Sequence, residues 1–182
     1  MLDFENYPII AAVRGEEDFE EALSADIQTI FLLGSSIFTI DRLVERAHEC
    51  GKLVFLHMDF VQGISNDASG VKYLATKGID GVISTRANII AAAHECGIGS
   101  VQRFFMIDSR SEQTALETLK GSRADMVEIL PGIAYKSIEK IKSNVRIPII
   151  AGGLIDHKEE VFKALSLGAS AISTGKKELW EQ

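Results

Sequence analysis

Eight short apolar runs, spread along the whole chain and separated by amphipathic stretches, constrain the fold more than any other feature. They cover residues 8–13, 29–33, 53–57, 81–84, 101–107, 126–130, 147–151 and 171–174. Most are nearly continuous in β-branched or large apolar residues, the pattern of parallel strands buried on both faces. Parallel strands need crossover connections, and helical stretches with readable ends lie between the runs. Asp156 is placed to cap the stretch HKEEVFKALSL, which Gly168 ends. Asp67 or Ser65 is placed to cap the helix carrying Val71, Leu74 and Ala75, which Gly78 closes. Eight strands, each followed by a helix, predict an α/β fold, a compact (β/α)8 TIM-type barrel over residues 1–182 as one domain. A doubly wound open sheet is the alternative. The chain has 182 residues, against roughly 250 for a usual barrel of this kind, so its loops and helices must be minimal.

Composition bounds the class. Hydrophobic residues make up 46% and charged residues 25%, as in ordinary soluble domains. No apolar run approaches the roughly 20 residues that span a bilayer. The start, MLDFENYPII, is acidic where a secretory signal is basic, so export is not expected and the cytoplasm is the expected compartment. Cys50 and Cys96 are the only cysteines, too few for a disulfide framework or an all-cysteine zinc site. The formal net charge of −7 argues against wholesale nucleic-acid binding. That charge is local: residues 1–91 carry 7 basic and 14 acidic side chains, residues 92–182 carry 12 of each. A polyanion would have to meet a patch in the second half.

One segment repeats. AHECG occurs at 47–51 and at 93–97, each time ending a helix before a strand. Two His-x-Cys pairs invite a metal reading. The plainer one is a helix C-terminus with a favourable His, a half-buried Cys and a stopping Gly, and no metal is assigned.

Barrel chemistry sits at the C-terminal ends of the strands. Those ends carry Arg14, His57 with Asp59, Ser84 with Thr85, Arg103 with Asp108, Glu128, Gly152 with Gly153, and Ser173-Thr174-Gly175. The last two groups, in IPIIAGGLI and GASAISTGKKELW, are glycine-bearing strand ends late in the series. Backbone N–H groups without a neighbouring Cβ approach an anion closely, and a helix N-terminus favours it, so Gly152, Gly153, Ser173, Thr174 and Gly175 form a candidate phosphate cup. The spacing GxxxxGK[ST] is absent, so triphosphate hydrolysis is not supported. Arg14, His57, Asp59, Arg103 and Glu128 are the candidate ligand contacts. His57 and Asp59, two apart, share a strand face and suit an acid–base pair or a grip on hydroxyls; equally, Asp59 orients a loop. Arg103 and Glu128 interrupt apolar runs in successive strands, so they either pair with each other or meet a ligand. No lysine interrupts a predicted strand and no GxSxG occurs, so no catalytic residue is assigned.

Together PIIAAVR (8–14), HMDFVQG (57–63), DGVIST (80–85), QRFFMIDS (102–109), VEILPG (127–132), IIAGGLI (149–155) and STGKKELW (173–180) resemble the glycerol-3-phosphate-responsive antiterminators, the glycerol uptake operon regulatory proteins. The likeness spans nearly the whole chain in order, and VEILPG and QRxFxxDS are its most specific parts. It implies a barrel that takes glycerol 3-phosphate as effector, with no cofactor. When loaded, such a protein binds leader mRNA of glycerol-utilisation genes, prevents termination and stabilises the transcript, without catalysis. The alternative is a barrel enzyme acting on a small phosphorylated glycerol-type substrate through His57, Asp59 or Glu128. For RNA, the helix after VEILPG turns Ile138, Ile141 and Val145 inward and leaves Lys136 and Lys140 outward, with Lys142 and Arg146 following. Lys176 and Lys177 are expected near the cup. These lysines are either a solvated face or an RNA-binding surface; the sequence also leaves a homo-oligomer open.

Overall fold

The computed structural model describes residues 2–181. Eight parallel strands close into a barrel: β1 (Ile9–Val13), β2 (Thr29–Leu32), β3 (Leu53–His57), β4 (Gly81–Ser84), β5 (Gly99–Phe105), β6 (Met126–Leu130), β7 (Ile149–Gly152) and β8 (Ala171–Thr174). Each strand pairs with its sequence neighbours, and β8 returns to β1 with Ile10 opposite Ser173. This closure decides against the open sheet. Seven helices follow the first seven strands: α1 (Glu16–Ser24), α2 (Ile40–Glu49), α3 (Ala68–Thr76), α4 (Ala87–Cys96), α5 (Ser109–Gly121), α6 (Tyr135–Lys142) and α7 (Lys158–Ser166).

The predicted strand cores are in place, four with the expected bounds (53–57, 81–84, 126–130 and 171–174) and the others with ends shifted by one or two residues. β7 starts after Pro148, which cannot donate to a ladder, and extends to Gly152. Among the described residues an eighth helix is not formed. After β8 there is only a 3-10 turn, Lys177–Leu179, pinned because the buried Trp180 indole donates to the Thr174 carbonyl at 2.9 Å. Asp67, not Ser65, caps α3, accepting from Gly70 N at 3.0 Å. Asp156 does not cap α7. Instead Glu160 reaches back to accept from the N–H groups of Asp156 and His157, at 2.8 and 3.1 Å.

Inside the barrel, every strand gives one side chain to a single packed layer: Ile10, Phe31, Phe55, Ile83, Val101, Met126, Ile150 and Ala171. Gly81 and Gly99 sit against the Phe55 ring, which occupies the space their side chains would need. A larger outer core lies between strands and helices. On the mouth side, two loops add a tiny parallel ribbon, Ser35–Ser36 beside Val61–Gln62. Among the described residues no helix is long and apolar enough to cross a membrane.

The two AHECG segments end α2 and α4, and Gly51 and Gly97 take the left-handed stop at φ +70° and +69°. His48 is used structurally, with Nε2 2.9 Å from Asp80 Oδ2, an oxygen that also accepts from Val54 N at 2.7 Å. Cys50 is exposed and Cys96 half-buried, and no group of three potential ligands converges among the described residues.

Candidate functional site

Side chains alternate along a strand, so residues two beyond the packed layer point into the mouth of the barrel. From Phe55, Val101, Met126, Ile150 and Ala171 this places His57, Arg103, Glu128, Gly152 and Ser173 in one polar layer above the apolar plug. Arg103 and Glu128 are directly opposite in register, and Arg103 Nε donates to Glu128 Oε2 at 2.6 Å. Both side chains are buried, 7% and 1% exposed. Burial pushes the Glu128 carboxyl above the ordinary carboxylate range, while the Arg103 guanidinium and the Ser173 hydroxyl pull it back. Gly152 completes the layer by omission: a Cβ there would overlap Glu128 Oε1.

His57 ends β3 and is 3% exposed. The strand stops there, so Asp59 is not on the same strand face, as alternation would have it. A 3-10 turn, Met58–Phe60, carries it back to leave 3.8 Å between His57 Nδ1 and Asp59 Oδ2. The Phe60 ring packs on the imidazole at 4.6 Å between centroids, and Nδ1 has no hydrogen-bond partner. Burial, reinforced by the Arg103 charge, lowers the His57 pKa to about 4. The imidazole is therefore neutral at pH 7 and does not serve as a general acid in that state. Its folded pKa lies below the unfolded value, so the stability it confers is present above about pH 6.5 and is lost as pH falls toward 4. Between pH 7 and 5 this loss is on the order of 1–2 kcal/mol once solvent screening at the open mouth is allowed for. Urea titrations at the two pH values should show it in the wild type and not in His57→Gln; equal losses in both would assign the pH dependence elsewhere.

The cup is built on β7 and β8. Gly153 and Leu154 both take the left-handed region, at φ +74° and +58°. The glycine does so freely; the leucine is strained, a feature that concentrates at functional turns. Gly153 O accepts from Gly132 N at 2.8 Å, tying the β6–α6 loop to the turn. Among the described residues the N–H groups of Gly153, Leu154 and Gly175 donate to no protein acceptor. Gly175 is exposed, and a Cβ there would be 3.4 Å from Ala12 O, so this glycine opens the cup wall rather than serving a strained backbone. Thr174 turns away from the mouth: its hydroxyl donates to Ile155 O at 3.0 Å and accepts from Lys176 N at 3.1 Å. It fixes the cup loops to each other.

The family model for the glycerol-3-phosphate responsive antiterminator matches residues 9–180. The chain belongs to this antiterminator family. Its structure is similar to that of a glycerol uptake operon antiterminator regulatory protein from Listeria monocytogenes str. 4b F2365, with TM-score 0.93 and 37% identity over 98% of this chain and 97% of that one. A glycerol uptake operon antiterminator-related protein from Thermotoga maritima MSB8 gives 0.86 and 32%, covering 96% and 98%. The uncharacterized protein YgcP of Escherichia coli (strain K12) is 33% identical over 174 residues, covering 95% of this chain and 91% of that one.

In this family member several charged candidates already have partners. Asp59 accepts from Asn66 and lies 3.7 Å from Arg86 Nε. Arg14 is exposed and lines a cleft of about 300 Å³ beneath the Ser35–Ser36 ribbon, which Phe60 borders from the His57 side. Asp108 caps α5, accepting from Ser111 N at 2.8 Å. Lys136 and Lys140 are exposed on α6; Lys140 Nζ is 2.7 Å from Glu112, whereas Lys136 forms no ion pair among the described residues. Lys176 lies beside the cup, 3.4 Å from Asp156, and Lys177 binds Asp18 and Glu21 of α1 at 2.9 and 2.7 Å. The structure thus gathers the cup, His57, Arg103 and Glu128 at the mouth, with Lys176 beside the cup, Lys177 held by α1, and Lys136 and Lys140 on α6. Sequence reasoning passed over Phe60, Asn66, Arg86 and Gln102. Gln102, fully buried with Nε2 on Thr85 O at 2.9 Å and Oε1 unpartnered, carried a signal: a polar residue inside an apolar strand.

Proposed function

We propose that this antiterminator is a cytoplasmic sensor that binds glycerol 3-phosphate in the barrel mouth and, when loaded, binds leader mRNA of glycerol-utilisation genes without transforming the effector. The observation that carries this reading is the turn Gly153-Leu154 facing Gly175, whose N–H groups are left without protein acceptors beside a polar layer of His57, Arg103, Glu128 and Ser173. N–H groups of such a turn suit a phosphate, and the buried layer offers hydroxyl partners. Neither acid–base candidate is poised for proton transfer: Glu128 is held by Arg103, and His57 is neutral without a carboxylate at hydrogen-bonding distance. That favours holding a ligand over moving its protons. Family membership supports the same reading.

Glycerol 3-phosphate at about 100 times its Kd should stabilise the fold by about 2.7 kcal/mol, raising Tm by on the order of 5–10 °C. Glycerol should do little. Gly153→Val forces a β-branched residue into the left-handed region and closes the turn to an anion, while its Cβ has room, with Leu130 at 3.5 Å. Differential scanning fluorimetry should find the variant folded and unresponsive; a full response would remove the phosphate from this turn.

A further inference from the structure

Large apolar side chains are exposed together on one side of the mouth. Phe105 at the end of β5 is 52% exposed, Ile107 86%, Ile133 38% and Leu154 64%. They come from three adjacent strand ends: Phe105 is opposite Leu130 in register, and Leu130 packs toward Gly153. Ile107 and Ile133 line opposite walls of a cleft of about 510 Å³ between the β5–α5 and β6–α6 loops, with Lys136 on its edge. The acids of this cleft are already engaged, Asp108 in capping α5 and Glu112 with Lys140 and Ser137. Lys136, and Arg110 nearby at the start of α5, are exposed and form no ion pair among the described residues. The open charge of the patch is therefore positive, in a chain whose net charge is −7.

We infer that this rim is where the RNA docks, its unpaired bases stacking on Phe105 and inserting against Ile107 and Ile133 while Lys136 and Arg110 meet the flanking phosphates. The inference rests on the RNA reading of the preceding subsection and assigns it a surface. Single-stranded RNA is recognised by stacking on aromatic and apolar faces with cations alongside, which the rim offers and a lysine-only helix face does not. Position also supplies the coupling. The cup turn and the rim share a hydrogen bond, Gly132 N to Gly153 O, one residue from Ile133. A phosphate on the Gly153-Leu154 N–H groups selects one arrangement of that turn, and with it one arrangement of the Ile133 wall and the Leu154 side chain. Effector and RNA then favour the same state, and each must strengthen the other by the same factor.

The test uses the full chain and an RNA pool selected from a random library on the wild-type protein in the presence of glycerol 3-phosphate. Failure to select any RNA would end the RNA reading itself, and the rim with it. With a selected RNA in hand, Phe105→Ala and Ile107→Ser should each raise Kd by about tenfold or more, the loss of one stacked base. Ile107→Ser should keep the wild-type Tm shift with glycerol 3-phosphate, which shows the barrel and cup intact. Lys120→Glu with Arg146→Glu, on the opposite face of the barrel, should leave Kd within about twofold, beyond a general weakening at low salt. RNA affinity that survives both rim variants overturns the inference, as does loss confined to the Lys120/Arg146 variant. A dimer that dissociates on Ile107→Ser, with unchanged RNA affinity, would assign the rim to a second copy instead.

Discussion

Glu128→Ala is expected to cost this barrel about 3–5 kcal/mol of unfolding free energy, because it leaves the Arg103 guanidinium buried without its partner. The side chain of Arg103 is 7% exposed and cannot shed its proton, so burial offers it no neutral form. Arg103→Ala should be milder. The stranded Glu128 carboxyl, already pushed upward by burial, escapes by taking a proton, and its cost should shrink as pH falls. Replacing both at once, Arg103→Met with Glu128→Leu, removes the buried charges together and should restore most of the loss. Urea unfolding of the three variants at pH 5 and 7 measures all of this. A cost below about 1 kcal/mol for Glu128→Ala would mean that water already reaches the pair. The apolar double variant also tests the proposed ligand site: a folded protein without a glycerol 3-phosphate response would give the pair a part in holding the ligand.

The strand cores were readable because parallel strands buried on both faces leave long apolar runs, and the polar residues at their ends stood out against that background. Arg103 and Glu128 are the clearest case, two charges inside runs such as QRFF and MVEIL. Register made the rest of that argument, since only the alignment of β5 with β6 sets them opposite each other. The helix expected after β8 failed for a tertiary reason: the Trp180 indole is anchored to Thr174, six residues back, and the segment between has room only for a turn. The surroundings of the lysines were hidden in the same way. Lys177 is neutralised by acids 156 or more residues earlier in the chain, a pairing that no local pattern contains. Apolar side chains such as Phe105 and Ile107 read as strand interior, because hydropathy does not tell a buried end of a strand from one that emerges at the mouth.

The adjacent glycines of AGGLI, alike in the sequence, should separate sharply in a double-mutant cycle. Gly152→Ala places a Cβ where Glu128 Oε1 lies, and the carboxylate cannot swing aside without leaving Arg103. The expected loss is about 1–3 kcal/mol, the usual cost of overpacking a well-filled interior. In a Glu128→Ala background the obstructing oxygen is gone, so Gly152→Ala should then cost within about 0.5 kcal/mol of nothing, a strong coupling between two residues in contact. Gly153→Ala should behave oppositely. Its Cβ has space, and its cost of about 1 kcal/mol comes from φ +74°, the same whether or not Glu128 is present. Urea unfolding of the three single and two double variants reads the coupling directly; additive costs for Gly152 and Glu128 would show that the carboxylate has another place to go. The proposed anion binding should divide in the same way. Inorganic phosphate should still stabilise the Gly152→Ala/Glu128→Ala protein, whose Gly153-Leu154 turn is untouched, so that the first glycine makes room for the buried carboxylate and the second for the phosphate.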